Sequence, residues 1–245
     1  MRVYVGFDDT DTIDADRGTG KLARWFEQEL PEGCTLWGVV RQQLLVDPAI
    51  PYTSHNSSAC AVVEVPDSSY TEILIGKAAE HIKRFFIPGS DPGLCVAADG
   101  NGSFARLISF GKVCATSIVS QKAALQAAAG VHLSGHGGTN DGIIGAAAGV
   151  GLTASGWSGR FIEFKRLRDF PELVRVADLG RAGIVVVSVD RDAPVPGPDD
   201  MVDTKGWLRP RLWGAHPTLP VTAAGKNLWH ALAKEKRRHK DKQEG

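Results

Sequence analysis

Five carboxylates, Asp8, Asp9, Asp11, Asp14 and Asp16, follow the short apolar run MRVYVGF within nine residues. Their mutual repulsion disfavours such a cluster unless a cation sits among them. Magnesium takes hard oxygen ligands, commonly one or two carboxylates completed by substrate phosphates. Aspartates at the carboxyl end of a strand also lie where α/β sheets collect their ligands. Asp8, Asp9 and Asp11 are therefore candidate Mg2+ ligands and catalytic residues for phosphoryl transfer. The stretch Gly18-Thr19-Gly20-Lys21 offers what an anion needs at a helix start: unpaired N–H groups, a hydroxyl and an ammonium. Thr19 and Lys21 join the catalytic candidates, and Gly18 and Gly20 the nucleotide-binding ones. The spacing is not that of a Walker loop. The plainer alternative is a surface loop whose aspartates cap a helix.

A second segment, SGHGGTNDGIIGAAAGVG, predicts a helix from about Asp141 to Val150 that is almost bare of side chains. Two things call for bareness: close packing of helix on sheet, or approach of backbone to a phosphate chain. Packing suits Gly145 and Gly149. It does not account for the polar glycine loop before them, so Gly137, Gly138, Thr139, Asn140 and Gly142 are candidate nucleotide contacts. His132 and His136 have a spacing compatible with zinc but no third ligand nearby; substrate contact, phosphate contact or capping is the better role for His136. The loop PYTSHNSSAC could line a substrate pocket, with Asn56 its candidate residue, or be a simple turn. Ser54 and His55 are adjacent and point apart on an extended chain, so they make no triad.

Periodicity supplies the elements that would carry these residues. GKLARWFEQEL is an amphipathic helix, CTLWGVVRQQLLVD and CAVVEV are strands, and YTEILIGKAAEHIKRFF is a long helix. DPGLCVAA is a short strand. FARLISFGKVCATSIVSQKAALQAAAGV is helical throughout, or a helix, a strand and a second helix. GRFIEF and AGIVVVSVD are strands, RDAPVPGPDD is a loop, and AGKNLWHALAKEKRRHKDKQ is a last helix ending in a basic tail. No repeat of fixed period is present.

The 245 residues are 43% hydrophobic and 23% charged, with zero formal net charge. This is a globular composition, and attraction to nucleic acid must come from a local patch. The four cysteines form no C-x-x-C pair, which argues against a zinc ribbon; Cys60 and Cys114 lie in apolar runs and suit a reduced core. No signal peptide and no membrane-spanning run is present, so a cytoplasmic location is expected.

The three segments VGFDDTDT…GTGKLA, VRQQLLVDPAIPYTSHNSSACAVVEV and GTNDGIIGAAAGVG together, in this order, resemble the archaeal tRNA agmatidine synthetase family. That family modifies the wobble cytidine of an isoleucine tRNA with ATP and agmatine. The resemblance covers about the first two thirds of the chain. It implies a kinase-like α/β core interrupted by a ferredoxin-like α+β insertion: residues 1–58 as the first part of the core, 59–130 as the insertion, 131–192 as the second part, and 193–245 as a C-terminal extension. It implies that Asp8, Asp9 and Asp11 hold Mg-ATP and that Thr19 matches the family's phosphorylated threonine, although the family has Cys-Thr-Thr-Tyr where this chain has Gly18-Thr19-Gly20-Lys21. The cysteine pairs of the family's zinc ribbon are missing, and the residues after 193 are too few for its OB-fold and ribbon. The expectation is a shortened relative.

The leading expectation is thus an ATP- and Mg2+-dependent phosphoryl-transfer enzyme with a small-molecule acceptor entering near Asn56 and His136. The alternatives are an RNA-modifying enzyme of the same family and a non-catalytic nucleotide-binding protein.

Overall fold

The opening apolar run forms β1 (Arg2–Asp8), and the glycine-bearing stretch starts α1 (Thr19–Trp25). In this computed structural model, which describes residues 1–50, 56–100, 102 and 104–232, there follow β2 (Thr35–Gln43), β3 (Ser57–Glu64), α2 (Tyr70–Phe85), β4 (Gly93–Ala98), α3 (Phe104–Cys114), α4 (Gln121–Ala127), β5 (His132–Gly135), α5 (Gly142–Ala154) and β6 (Arg160–Glu163). Then come β7 (Leu173–Arg175), α6 (Val176–Arg181), β8 (Val185–Ser188), β9 (Met201–Asp203), β10 (Arg211–Trp213), β11 (His216–Gly225) and β12 (Leu228–Ala231). The fold is the expected α/β and α+β mixture.

Two compact units result. The first comprises Met1–Leu167 and Pro210–Pro217, the second Arg168–Arg209 and the chain from Thr218 onward. The first unit's sheet runs β5-β4-β1-β3-β2-β6-β10, antiparallel throughout. Both faces are covered, and β3 shows why its sequence is a continuous apolar run. Ala59, Ala61 and Val63 pack with α1 and α2, while Cys60 and Val62 pack with α3, α4 and α5. On α2, Leu74, Ala78 and Ile82 recur every four residues and are buried, the helical period of an element resting on a sheet. On the opposite face α5 comes close enough that a Cβ on Gly93 would meet the Gly142 backbone at 2.1 Å. The second unit is a mixed sheet, β8-β11-β12-β9-β7, with β8 and β11 parallel and β9 and β12 parallel.

Several sequence expectations need correction. Over its described residues the expected last helix is replaced by a hairpin: the stretch Ala224–Ala231 belongs to β11 and β12, which pair antiparallel around Asn227 at φ +56. That left-handed turn is incompatible with a helix, and Pro217 and Pro220 obscure β11 in the sequence. The basic tail KEKRRHK, like Pro51–His55 of the hydroxyl-rich loop, lies outside the described residues. Between α3 and α4 there is no strand. The two units divide at Leu167/Arg168, Arg209/Pro210 and Pro217/Thr218. Segment 59–130 supplies β4 and most of β3, both bonded to β1, so it is woven into the first unit's sheet. Among the described residues no helix is long and apolar enough to cross a membrane.

Candidate functional site: a carboxylate-lined cavity at the end of the central strand

Asp8 closes β1, paired in register with Gly93 of β4. Asp9 then takes the left-handed conformation, φ +49, which turns the chain off the sheet. A cavity of about 250 Å³ opens at this point. Asp8, Asp9, Asn56, Asp141 and Gly142 supply its polar lining, with Ser117, and Leu44, Ile50, Cys114, Ile118, Val119 and Ile144 its apolar wall. Gly145 forms part of the lining too: a Cβ there would stand 1.7 Å from Asp8 Oδ2, so the carboxylate lies against a helix that must be bare at that position.

The carboxylates are strongly perturbed. Burial, then the neighbouring Asp9 carboxylate, pushes Asp8 up to about 8. Burial, then the charges of Asp91 and Asp11, pushes Asp9 up to about 6. Both shifts express the cost of holding negative charge in one poorly hydrated place. Among the described residues no group of three or more His, Cys, Asp or Glu is gathered to hold a metal by itself. Of the three carboxylates that line the cavity, Asp8, Asp9 and Asp141, the adjacent pair Asp8 and Asp9 is a hard-oxygen donor set of the kind that binds Mg2+ together with phosphates, and not a zinc set.

Asp11 is not among the residues lining the cavity. Its Oδ1 accepts hydrogen bonds from Thr19 N and Thr19 Oγ1, both at 3.1 Å. Thr19 Oγ1 in turn accepts from Thr10 N at 3.2 Å and Thr10 Oγ1 at 3.1 Å. Thr10 and Thr19 are both buried. Asp11 thereby ties the start of α1 to the loop after β1, with Gly18 beside its carboxylate. Gly20 faces Ile162, and the Lys21 ammonium lies over the Trp25 ring at 5.1 Å.

The glycine loop encloses an anion of the protein's own. Asp91 accepts from Thr139 N at 2.9 Å and Asn140 N at 2.6 Å, as well as from the Thr139 hydroxyl. Burial alone would raise Asp91, but these bonds more than offset it and hold the carboxyl below the usual range. Gly138, at φ +57, packs against the same carboxylate, and Gly137 against Ser90 and Pro92. Gly142 packs against the Asp91 carbonyl and Gly93. His136 joins His132 through Ser134 Oγ, at 2.9 and 2.8 Å, away from the cavity lining. Asn56 donates to Leu45 O at 2.7 Å, which ties it to the segment after β2, where Leu44 lines the same cavity.

The structure therefore gathers Asp8, Asp9, Asn56 and Gly142 around one cavity, and leaves Asp11, Gly18, Thr19, Gly20, Lys21, His136, Gly137, Gly138, Thr139 and Asn140 off its lining. Asp91 and Arg41 were missed by sequence reasoning. Arg41 donates to Ser57 Oγ at 2.8 Å. Burial lowers its guanidinium and the nearby Asp11 charge raises it. The signal was available: Arg41 is the one charged residue of β2.

No protein-family model matches the chain, and no curated protein matches it. Solved structures do. The crystal structure of a tRNA fluorescent labeling enzyme is 27% identical with a TM-score of 0.53. That of TiaS in complex with tRNA and ATP is 26% identical with a TM-score of 0.53. That of TiaS in complex with tRNA, AMPCPP and agmatine is 27% identical with a TM-score of 0.50. Each likeness covers 62% of this chain and 36% of the other. The chain thus shares its fold with part of TiaS and spans little more than a third of the length of these solved chains.

Proposed function

We propose that this chain is an ATP-dependent, RNA-modifying enzyme, with tRNA as its first candidate substrate. The observation that carries the reading is the pair Asp8 and Asp9, facing one cavity at the end of the central strand, in a fold shared with solved complexes that contain ATP and tRNA. Asp8 and Asp9 would hold Mg2+ with the nucleotide phosphates, and Mg-ATP would supply an activated phosphoryl group. Asp141 and Asn56 line the same space and orient what enters it. The apolar wall from Leu44 to Ile144 excludes water from the reacting groups, which strengthens every charge interaction inside. A cavity of about 250 Å³ suits a small reacting group, such as one base or a small amine, and not a folded RNA as a whole.

This reverses the order of the two readings drawn from the sequence. There the zero net charge and the missing cysteine pairs favour a small-molecule phosphoryl acceptor. Net charge bears on long-range steering only, while the complexes of similar fold contain tRNA together with ATP.

The test combines binding with turnover. Mg-ATP at a hundred times its dissociation constant should stabilise the chain by about 2.7 kcal/mol, visible as a raised melting temperature. ATP consumption, followed by chromatography of ADP and AMP, should rise when tRNA is added. Asp8→Asn should abolish turnover while leaving the fold intact. An unchanged melting temperature at millimolar nucleotide would sink the ATP reading; turnover that ignores tRNA but responds to a small amine would sink the RNA reading.

A further inference from the structure

Arg41 of β2 is paired in register with Arg160 of β6, and Arg160 with Arg211 of β10. Residues opposite one another on adjacent strands share a face. Arg41 stands two residues from Val39, and Arg160 two residues from Ile162; both apolar neighbours belong to the core on the α1 side. Three guanidinium side chains therefore run in a row across three strands on that face. At about 4.8 Å between strands the row spans about 10 Å.

Like charges placed directly opposite destabilise a sheet. Among the described residues the Arg160 guanidinium has no hydrogen bond and no ion pair, and its electrostatic neighbour is Arg211, another cation. Burial, then that second charge, draws Arg160 below the usual guanidinium range. Among the described residues Arg211 has no carboxylate partner either; it lies 5.1 Å from the ring of Trp213, two residues on along the same strand. A stacked arginine and indole are also a surface on which a base can lie. At the other end of the row Arg41 is close enough to feel the charge of Asp11, in the loop that follows Asp8 and Asp9.

We propose that the row Arg41–Arg160–Arg211 is a docking strip for the sugar–phosphate backbone of single-stranded RNA. The proposal rests on the RNA reading above and gives that reading a surface. A linear polyanion is what matches cations in a row, because successive phosphates can meet successive guanidinium groups. Arginine suits the task through its planar fork of donors.

The experiment titrates a fluorescein-labelled uridine decamer with the full chain at about 50 to 200 mM salt. Arg160→Gln and Arg211→Gln should each weaken binding about three- to tenfold and make the slope of log affinity against log salt shallower by about 0.7. Arg160→Lys should retain more affinity than Arg160→Gln. The melting temperature of Arg160→Gln should equal or exceed that of the wild type, since a repulsion is removed; a lower one would assign the residue to packing and overturn the strip. Wild-type affinity and slope in both Gln variants, or no binding by the wild type, would overturn it as well. The Mg-ATP thermal shift, measured on the same samples, separates the outcomes. Retained with RNA binding unaffected by the variants, it removes the strip alone; lost in the wild type, it removes the nucleotide reading.

Discussion

His81 is a polar side chain surrounded by rings. Phe7, Phe26 and Phe85 have their centroids 6.3, 5.5 and 4.8 Å from its own. Nε2 lies 2.9 Å from the Leu22 carbonyl, while Nδ1 makes no hydrogen bond and the nearest Glu29 oxygen is 3.8 Å away. Burial lowers its pKa, and the Leu22 carbonyl and Glu29 oppose that only in part. The sign of the linkage follows. Above the unfolded value, about 6.5, both states are neutral and His81 is neutral towards stability. Below it the unfolded chain takes a proton that the native chain resists, so stability falls as pH falls. His132 and His136, also lowered chiefly by burial, act in the same direction. Asp8 and Asp9, raised to about 8 and about 6, act in the opposite direction over the same range, because the native chain holds their protons more tightly. The His81 contribution is therefore read as a difference: the melting temperature of His81→Phe relative to the wild type should rise as pH falls from about 7 to 5, and a difference that does not change with pH would remove His81 from the account. At this scale the sequence was legible where one stretch does the work: Asp8 and Asp9 stand out by type and spacing alone. Asp91 did not, because its role depends on a loop some forty-eight residues away folding around its carboxylate.

Helix α5 carries the element-scale lesson. Its glycines suggested two uses, and those at 142, 145 and 149 face the sheet at distances that leave no space for a methyl group: a Cβ would meet the Asp91 carbonyl at 2.1 Å, Asp8 Oδ2 at 1.7 Å and Ser58 Oγ at 2.5 Å. Gly145→Ala should cost at least about 1–3 kcal/mol through overpacking and should displace Asp8 from the cavity. Gly76, in α2, has nothing within 4 Å of its would-be Cβ. Gly76→Ala should therefore stabilise by about 0.5–1 kcal/mol through helix propensity. Equal melting temperatures for the two variants would contradict this account of α5. Periodicity identified α2 and β3 because each buries a regular pattern. It failed for β10 and β11, where strands of three residues or strands containing proline leave too short a signal, and it misassigned the final hairpin, whose alanines and lysines favour a helix until Asn227 turns the chain.

At the scale of the whole molecule, the first unit is discontinuous. Its last strand, β10, returns from residues 211–213 to bond β6, with Phe161 N donating to Pro210 O at 2.8 Å and Leu212 N to Gly159 O at 3.2 Å. A chain ended at Arg209 would leave the outer edge of β6 unpaired, a template for pairing with other chains. That truncated protein should elute as aggregates in size-exclusion chromatography; a monomer with the wild-type melting temperature would refute the expectation. The extent of the first unit was not legible in the sequence, since no composition shift marks a strand that belongs with residues about fifty positions earlier. The same discontinuity sets a timetable for synthesis. A ribosome adding about 5–20 residues per second delivers β6 and then spends about two to eight seconds on residues 168–209 before β10 emerges. Throughout that interval the nascent sheet has an open side, and a chaperone that recognises bare strand edges has its moment to bind. Completion of the unit that holds the carboxylate cavity waits on translation, however fast its own strands can pair.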